Sequence, residues 1–101
     1  MRGYALTDEA EADLRSIIRR TRKTWGNDQV RRYVDFLEQG MARLAAGEGP
    51  CREMSEIHPR LRMTHCEHHY LFCLPRDDAP ALIVAILHER MDLMVRLIGR
   101  L

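Results

Sequence analysis

The sequence predicts an α+β fold: an N-terminal strand, an antiparallel two-helix hairpin packed on a mainly antiparallel sheet, and a short C-terminal helix. Three observations point there. Two long stretches carry apolar residues at helical spacing and are separated by only a few turn-forming residues. Two further stretches, Leu61–Cys66 and His69–Leu74, have strand character and a tight connection between them. Finally, Ala81–Leu87 is apolar at every position, bracketed by Asp77-Asp78-Ala79-Pro80 and a charged cluster. It is too short for a lone helix, and Ile83, Val84 and Ile86 favour a strand. A run with no polar alternation implies cover on both faces, so it is expected to be the central strand.

The elements follow in chain order. Gly3-Tyr4-Ala5-Leu6 is a short strand, ending at Thr7-Asp8. Thr7 or Asp8 caps the first helix; Asp8 with Glu11 fits a variant of the capping box, and Glu9 adds an acid to the first turn. Ala10, Leu14, Ile17, Ile18, Thr21 and Trp25 form its apolar stripe. Gly26 stops it, and Asn27 or Asp28 is the expected cap of the second helix. That helix presents Val30, Tyr33, Val34, Leu37, Met41 and Leu44, and ends at Gly47-Glu48-Gly49-Pro50. Cys51–Arg60 has no clear period and reads as a loop with at most one helical turn. Pro75–Pro80 is a turn before the apolar strand. Met91, Met94, Val95 and Ile98 then give a C-terminal helical stripe.

At 101 residues the chain fits one domain, residues 1–101, able to bury a core without metal or disulfide support. A formal net charge of +1 gives no global attraction to nucleic acid or membrane. Cys51, Cys66 and Cys73 are an odd count that matches no disulfide framework, which fits free thiols in a reducing cytoplasm. No stretch is long and apolar enough to span a bilayer, and Met1-Arg2-Gly3-Tyr4 does not open like a signal peptide.

Three constellations could carry chemistry. His65, Cys66, His68 and His69 suggest a metal site by composition. Neighbours on a strand point to opposite faces, however, so His68 and His69 cannot both turn inward, and no metal is expected. Arg15, Arg19, Arg20, Arg22, Lys23, Arg31 and Arg32 gather around the hairpin turn against Asp28 alone. They could meet an acidic partner or phosphates. Dipole matching accounts for the bases ending the first helix, but not for Arg31 and Arg32 near the start of the second. The third is His88-Glu89-Arg90, where the apolar strand leaves the core. His88 could move protons while Arg62, Arg76 and Arg90 hold a phosphate, or it could simply close the strand with a hydrogen bond.

The residues in sequence carry a resemblance. Tyr4-Ala5-Leu6-Thr7, Glu9–Leu14, Trp25-Gly26 before Gln29–Tyr33, Leu61-Arg62, Phe72 and Leu87–Leu93 closely resemble the ParE toxins of bacterial toxin–antitoxin pairs. The likeness covers nearly the whole chain. Glu67-His68-His69-Tyr70 and His88–Met94 resemble the ParE branch carried by broad-host-range IncP plasmids. The resemblance implies the RelE/ParE-like α+β fold, a role in plasmid maintenance, inhibition of DNA gyrase, and neutralisation by a ParD-type antitoxin. It implies no cofactor and no catalytic residue. RelE, the other branch of the superfamily, is a ribosome-dependent messenger-RNA endoribonuclease that uses several basic residues on its sheet. Here the only lysine, Lys23, is on the helical hairpin, and no tyrosine follows Tyr70, a departure that favours the ParE reading.

Two surfaces are expected to follow. Phe36 lies off the main stripe of the second helix, so with Arg19, Arg22, Lys23, Arg31 and Arg32 it suggests an apolar groove edged by positive charge. An acidic amphipathic antitoxin tail would suit that groove. His88, Arg90 and Asp92, with Arg62, are the expected gyrase-facing residues, because their charges would be poor core residues and the family resemblance points to the C-terminal region. Sequence-specific recognition of nucleic acid by the chain alone is not expected.

Overall fold

The computed structural model describes residues 3–101; the part of the signal-peptide argument that rests on Met1 and Arg2 lies outside them. The element order is β1 (Tyr4–Leu6), α1 (Asp8–Trp25), α2 (Asn27–Ala46), β2 (Arg52–Glu53), β3 (Arg62–Cys66), β4 (His69–Leu74), β5 (Ala81–His88) and α3 (Leu93–Ile98). The five strands form one sheet in the order β1-β5-β4-β3-β2. β1 runs parallel to β5, and the other neighbouring pairs are antiparallel. The α+β, RelE/ParE-like architecture expected from the sequence is therefore the one observed. The apolar run is interior, with a neighbour on each side, although β4 holds the middle of the sheet.

Both helices of the hairpin begin and end for local reasons. Thr7 caps α1 by accepting the Ala10 N–H at 3.0 Å. The capping box proposed around Asp8 and Glu11 is thus displaced by one residue, and Ala10 at the third position cannot return the bond. Asp8, Glu9 and Glu11 open α1, and Arg22 and Lys23 close it, which complements the helix dipole. Gly26 ends α1 and also precedes α2, at φ 87°. No side chain caps α2, so the expected cap at Asn27 or Asp28 does not form; Asn27 is already helical. The one-residue junction needs that positive φ, which glycine adopts without steric cost.

Two cores lie on opposite faces of the sheet. Ile17, Leu37, Met41 and Leu44 from the hairpin pack on Leu71, Cys73, Ile83 and Ile86. Beneath the other face, Leu61, Phe72, Val84, Leu87 and Leu97 cluster, flanked by Met54, Ile57, Met91 and Leu93. The segment expected to be a plain loop supplies much of that second cover. It contains β2, and a single turn in which Ile57 and His58 both donate to the Met54 carbonyl. The C-terminal stripe is also different from expectation: Leu97 is buried, whereas Met94, Val95 and Ile98 face outward. Trp25 departs in the same way, at 71% exposure. It is the last residue of α1, at the one-residue junction with α2.

A bulge shapes β5. Phe72 pairs with Ala85 but Cys73 pairs with Ile83, which leaves Val84 as an extra residue. Beyond Leu6 the neighbouring strand β1 has ended, and side chains complete the exposed ladder instead. Asp13 Oδ2 accepts the Ile86 N–H at 3.0 Å. Arg100 donates to the Val84 carbonyl at 3.2 Å while forming a forked pair with Asp13, at 2.5 and 2.9 Å. No described helix is long and apolar enough to cross a membrane.

Candidate functional site

A groove of about 640 Å³ opens between the helical hairpin and the ends of β4 and β5. Arg20 and Tyr33 line its helical side, His69 and His88 its sheet side, and the exposed rings of Trp25 and Phe36 its mouth. Position on the elements explains the meeting. His69 and His88 are paired residues on β4 and β5, and the alternation of side chains turns both toward the helices. Tyr33, a turn before Phe36 on α2, meets the His69 ring edge to face, with centroids 5.5 Å apart.

The hydrogen bonds at its floor are ordered. The His68 backbone N–H donates to the Tyr33 hydroxyl at 3.1 Å. The hydroxyl and His69 Nδ1 share a hydrogen bond of 2.5 Å, in which the hydroxyl donates when that nitrogen is unprotonated. Burial, then the nearby His88 and His68, push the His69 pKa down to about 4. Burial raises the Tyr33 hydroxyl above its ordinary value. The imidazoles of His69 and His88 meet edge to face, with centroids 5.2 Å apart.

Next to this floor, Glu89 joins the β3–β4 hairpin to the exit of β5. Its two carboxylate oxygens meet His65 Nε2 at 2.8 Å and His68 Nδ1 at 3.3 Å. These hydrogen bonds hold the Glu89 carboxyl below the usual range. The backbone adds a rung, with the Glu89 N–H donating to the His68 carbonyl at 3.0 Å. The histidine and cysteine side chains singled out in the sequence are thus divided: His69 points into the groove, His65 and His68 hold Glu89, and the Cys66 thiol donates to the Phe36 carbonyl. No group of three or more candidate ligands able to hold a metal occurs among the described residues. The three cysteines are free, and burial raises the Cys66 thiol and pushes Cys73 up to about 11. Neither has the depressed pKa of an activated nucleophile.

The expected site residues fall into three places. Arg19, Arg22, Lys23, Arg31 and Arg32 are all exposed on the hairpin, and Phe36 is 47% exposed; Phe36 lines the groove, with Arg20, and those five bases do not. Phe36 also lines a second, smaller depression of about 380 Å³, shared with Gly40, Arg43 and Thr64, so it stands as a ridge between two hollows. His88, Arg90 and Asp92 lie together where β5 turns toward α3. The Arg90 N–H donates to His88 Nδ1 at 3.1 Å, and Asp92 caps α3 by accepting the Val95 N–H at 3.3 Å. Arg62 is elsewhere: it begins β3 and donates to the Leu44 carbonyl at the end of α2, at 3.3 Å. Arg76 donates to the Pro80 carbonyl at 2.8 Å. Sequence reasoning did not place Tyr33, His69, Arg20 and Trp25 in one groove. The exposed Trp25 beside a helix-ending glycine was the available signal.

Comparison with known proteins matches the sequence to a family. Residues 4–93 match the family described as the ParE toxin of the type II toxin–antitoxin system parDE. The chain is 70% identical over 101 residues to "Toxin ParE" of Escherichia coli, covering 100% of this chain and 98% of that protein. It is 34% identical over 89 residues to "Toxin ParE1" of Mycobacterium tuberculosis strain CDC 1551 / Oshkosh, covering 88% of this chain and 91% of that protein. The same figures hold for "Toxin ParE1" of strain ATCC 25618 / H37Rv. With matches that run from β1 to α3, the chain belongs to the ParE toxin family of type II toxin–antitoxin systems.

Proposed function

We propose that this toxin, acting in the cytoplasm as one domain over residues 1–101, binds DNA gyrase and traps it on DNA, so blocking replication. A ParD-type antitoxin neutralises it and so supports plasmid maintenance. The observation that carries this reading is the family match from Tyr4 through Leu93, which takes in the His88-Glu89-Arg90-Met91-Asp92 run at the exit of β5, exposed at Glu89, Arg90 and Asp92. The same run offers a partner mixed charge on a rigid base, since Glu89 is held by two histidines. On the hairpin, Phe36 and the bases around it suit the apolar and acidic faces of an antitoxin helix.

The mode is binding, without catalysis. A RelE-like ribonuclease needs cations converging on the scissile phosphate. Arg62 and Arg76 are instead spent on the Leu44 and Pro80 carbonyls. The Tyr33–His69–His88 set is the feature that keeps message cleavage as the second reading, because it places ionisable rings in a groove. Purified toxin is expected to inhibit gyrase supercoiling and to leave ribosome-bound message intact. Message cleavage with normal supercoiling would replace the first reading with the second.

A further inference from the structure

We propose that the outer face of the helical hairpin, turned away from the sheet, binds the phosphate backbone of duplex DNA without sequence specificity. The choice of DNA among polyanions rests on the reading that this toxin traps gyrase on DNA. The whole chain has a formal net charge of +1, yet residues 15–32 hold seven basic side chains and one acid, Asp28. At about 100° per residue, Arg19, Arg22 and Lys23 lie within about 60° of the point on α1 opposite the buried Ile17. Arg31 and Arg32 lie as near the point on α2 opposite the buried Leu37. Ile17 and Leu37 both pack on the sheet, so the two sets of bases share one side of the hairpin. None of the five lines the groove, which is a separate surface.

Nothing within the fold uses these cations. All five are exposed, and among the described residues none of them forms an ion pair or a side-chain hydrogen bond. Arg15, a turn before Arg19 on the same face, is tied to Glu11 at 4.0 Å. Asp28 and Asp35 are the acids on the α2 part of the face, and neither pairs with Arg31 or Arg32, so five bases stand against two acids. Dipole matching accounts for Arg22 and Lys23 in the last turn of α1, but not for Arg19, Arg31 or Arg32. The lack of apolar side chains selects the partner. Within the same 60° window, residues 15–39 place no apolar residue on this face. Protein partners take most of their affinity from anchors packed into desolvated pockets, and a lipid surface from an apolar helical face. A duplex needs neither, because cations that replace its condensed counterions supply the binding.

Anisotropy of a labelled duplex of about 20 base pairs, titrated with purified full-length toxin, should show affinity falling as salt rises, with a log–log slope of about −3.6 for four phosphate contacts. The double variant Arg31→Gln with Arg32→Gln should bind about sixtyfold more weakly at about 0.1 M salt and flatten that slope by about 2, with its melting temperature unchanged. Arg52→Gln removes an exposed base from β2, at the edge of the sheet, and should leave duplex binding as it is. Four results would overturn the proposal: no binding of the duplex at low salt, an unaffected Arg31/Arg32 variant, an equal loss in Arg52→Gln, or polyglutamate bound as tightly as a duplex of equal charge. The last would assign the face to acidic protein instead. Gyrase capture by the same preparations keeps the two readings apart. Gyrase binding without duplex binding removes this proposal alone, and duplex binding without gyrase binding supports the DNA surface while removing the gyrase reading.

Discussion

His69 gives this toxin a pH dependence that can be worked out from one side chain. Its pKa is about 4 in the fold because it is buried, against an ordinary 6.5. Between those values the unfolded chain binds a proton that the folded chain refuses, so stability falls as pH drops through 6.5 and levels off below about 4. The loss approaches about 3 kcal/mol at the acid end. Denaturant midpoints from pH 7.5 to 4 should show it, and His69→Gln should flatten that slope; a wild-type profile level over the same range would contradict it. Side chains at the surface should behave otherwise. Arg90→Ala removes an exposed side chain and Phe36→Asp a 47% exposed ring, so each should change stability by less than about 1 kcal/mol. Arg90→Ala is expected to lose gyrase inhibition and keep antitoxin affinity, and Phe36→Asp the reverse. Parallel loss of both activities with early melting would make these residues structural.

Among the elements, α2 sits close on the sheet at Gly40. A Cβ on Gly40 would lie 2.9 Å from Leu71 Cδ1 and 3.1 Å from Cys66 Sγ. Leu71 is fully buried, so it has nowhere to swing. Gly40→Val should therefore cost about 2–3 kcal/mol by overpacking, despite leaving every hydrogen bond in place, as thermal unfolding can measure. Unchanged stability would mean that helix and sheet can part more easily than their packing implies. This position also illustrates what sequence periodicity conveys. The hairpin was legible because its apolar spacing repeats over many residues, and β5 because it is an unbroken apolar run bounded by turn-forming and charged residues. β2 was not, since two exposed residues, Arg52 and Glu53, carry no pattern. The stripe of α3 was misassigned because six residues permit more than one apolar face, and Leu97 wins by meeting Leu87 and Phe72 beneath the sheet. The groove was legible only at Phe36, whose place off the apolar stripe stands out in sequence; the pairing of His69 with His88 depends on strand register.

The whole molecule is held together across its length by Asp13 and Arg100. Their side chains are 15% and 14% exposed, and both also satisfy β5 backbone groups left open where β1 stops. Arg100→Met strands a largely buried carboxylate and should cost about 3 kcal/mol, lowering Tm by more than about 10 °C. The double variant Asp13→Leu with Arg100→Leu should lose less than the sum of the single changes, and additive losses would deny the coupling. The parallel pairing of Tyr4 with Ala81 has a consequence of a different kind, in time. During synthesis the N-terminal strand and both hairpin helices emerge long before the strand that lies between β1 and β4. Until β5 arrives, the hairpin has an apolar face with no floor beneath it, and the histidine wall of the groove does not yet exist. Loops this long close late and slowly. The β5 exit, with His88, Arg90 and Asp92, is therefore complete only once nearly all of the chain has been translated, well after the hairpin has emerged.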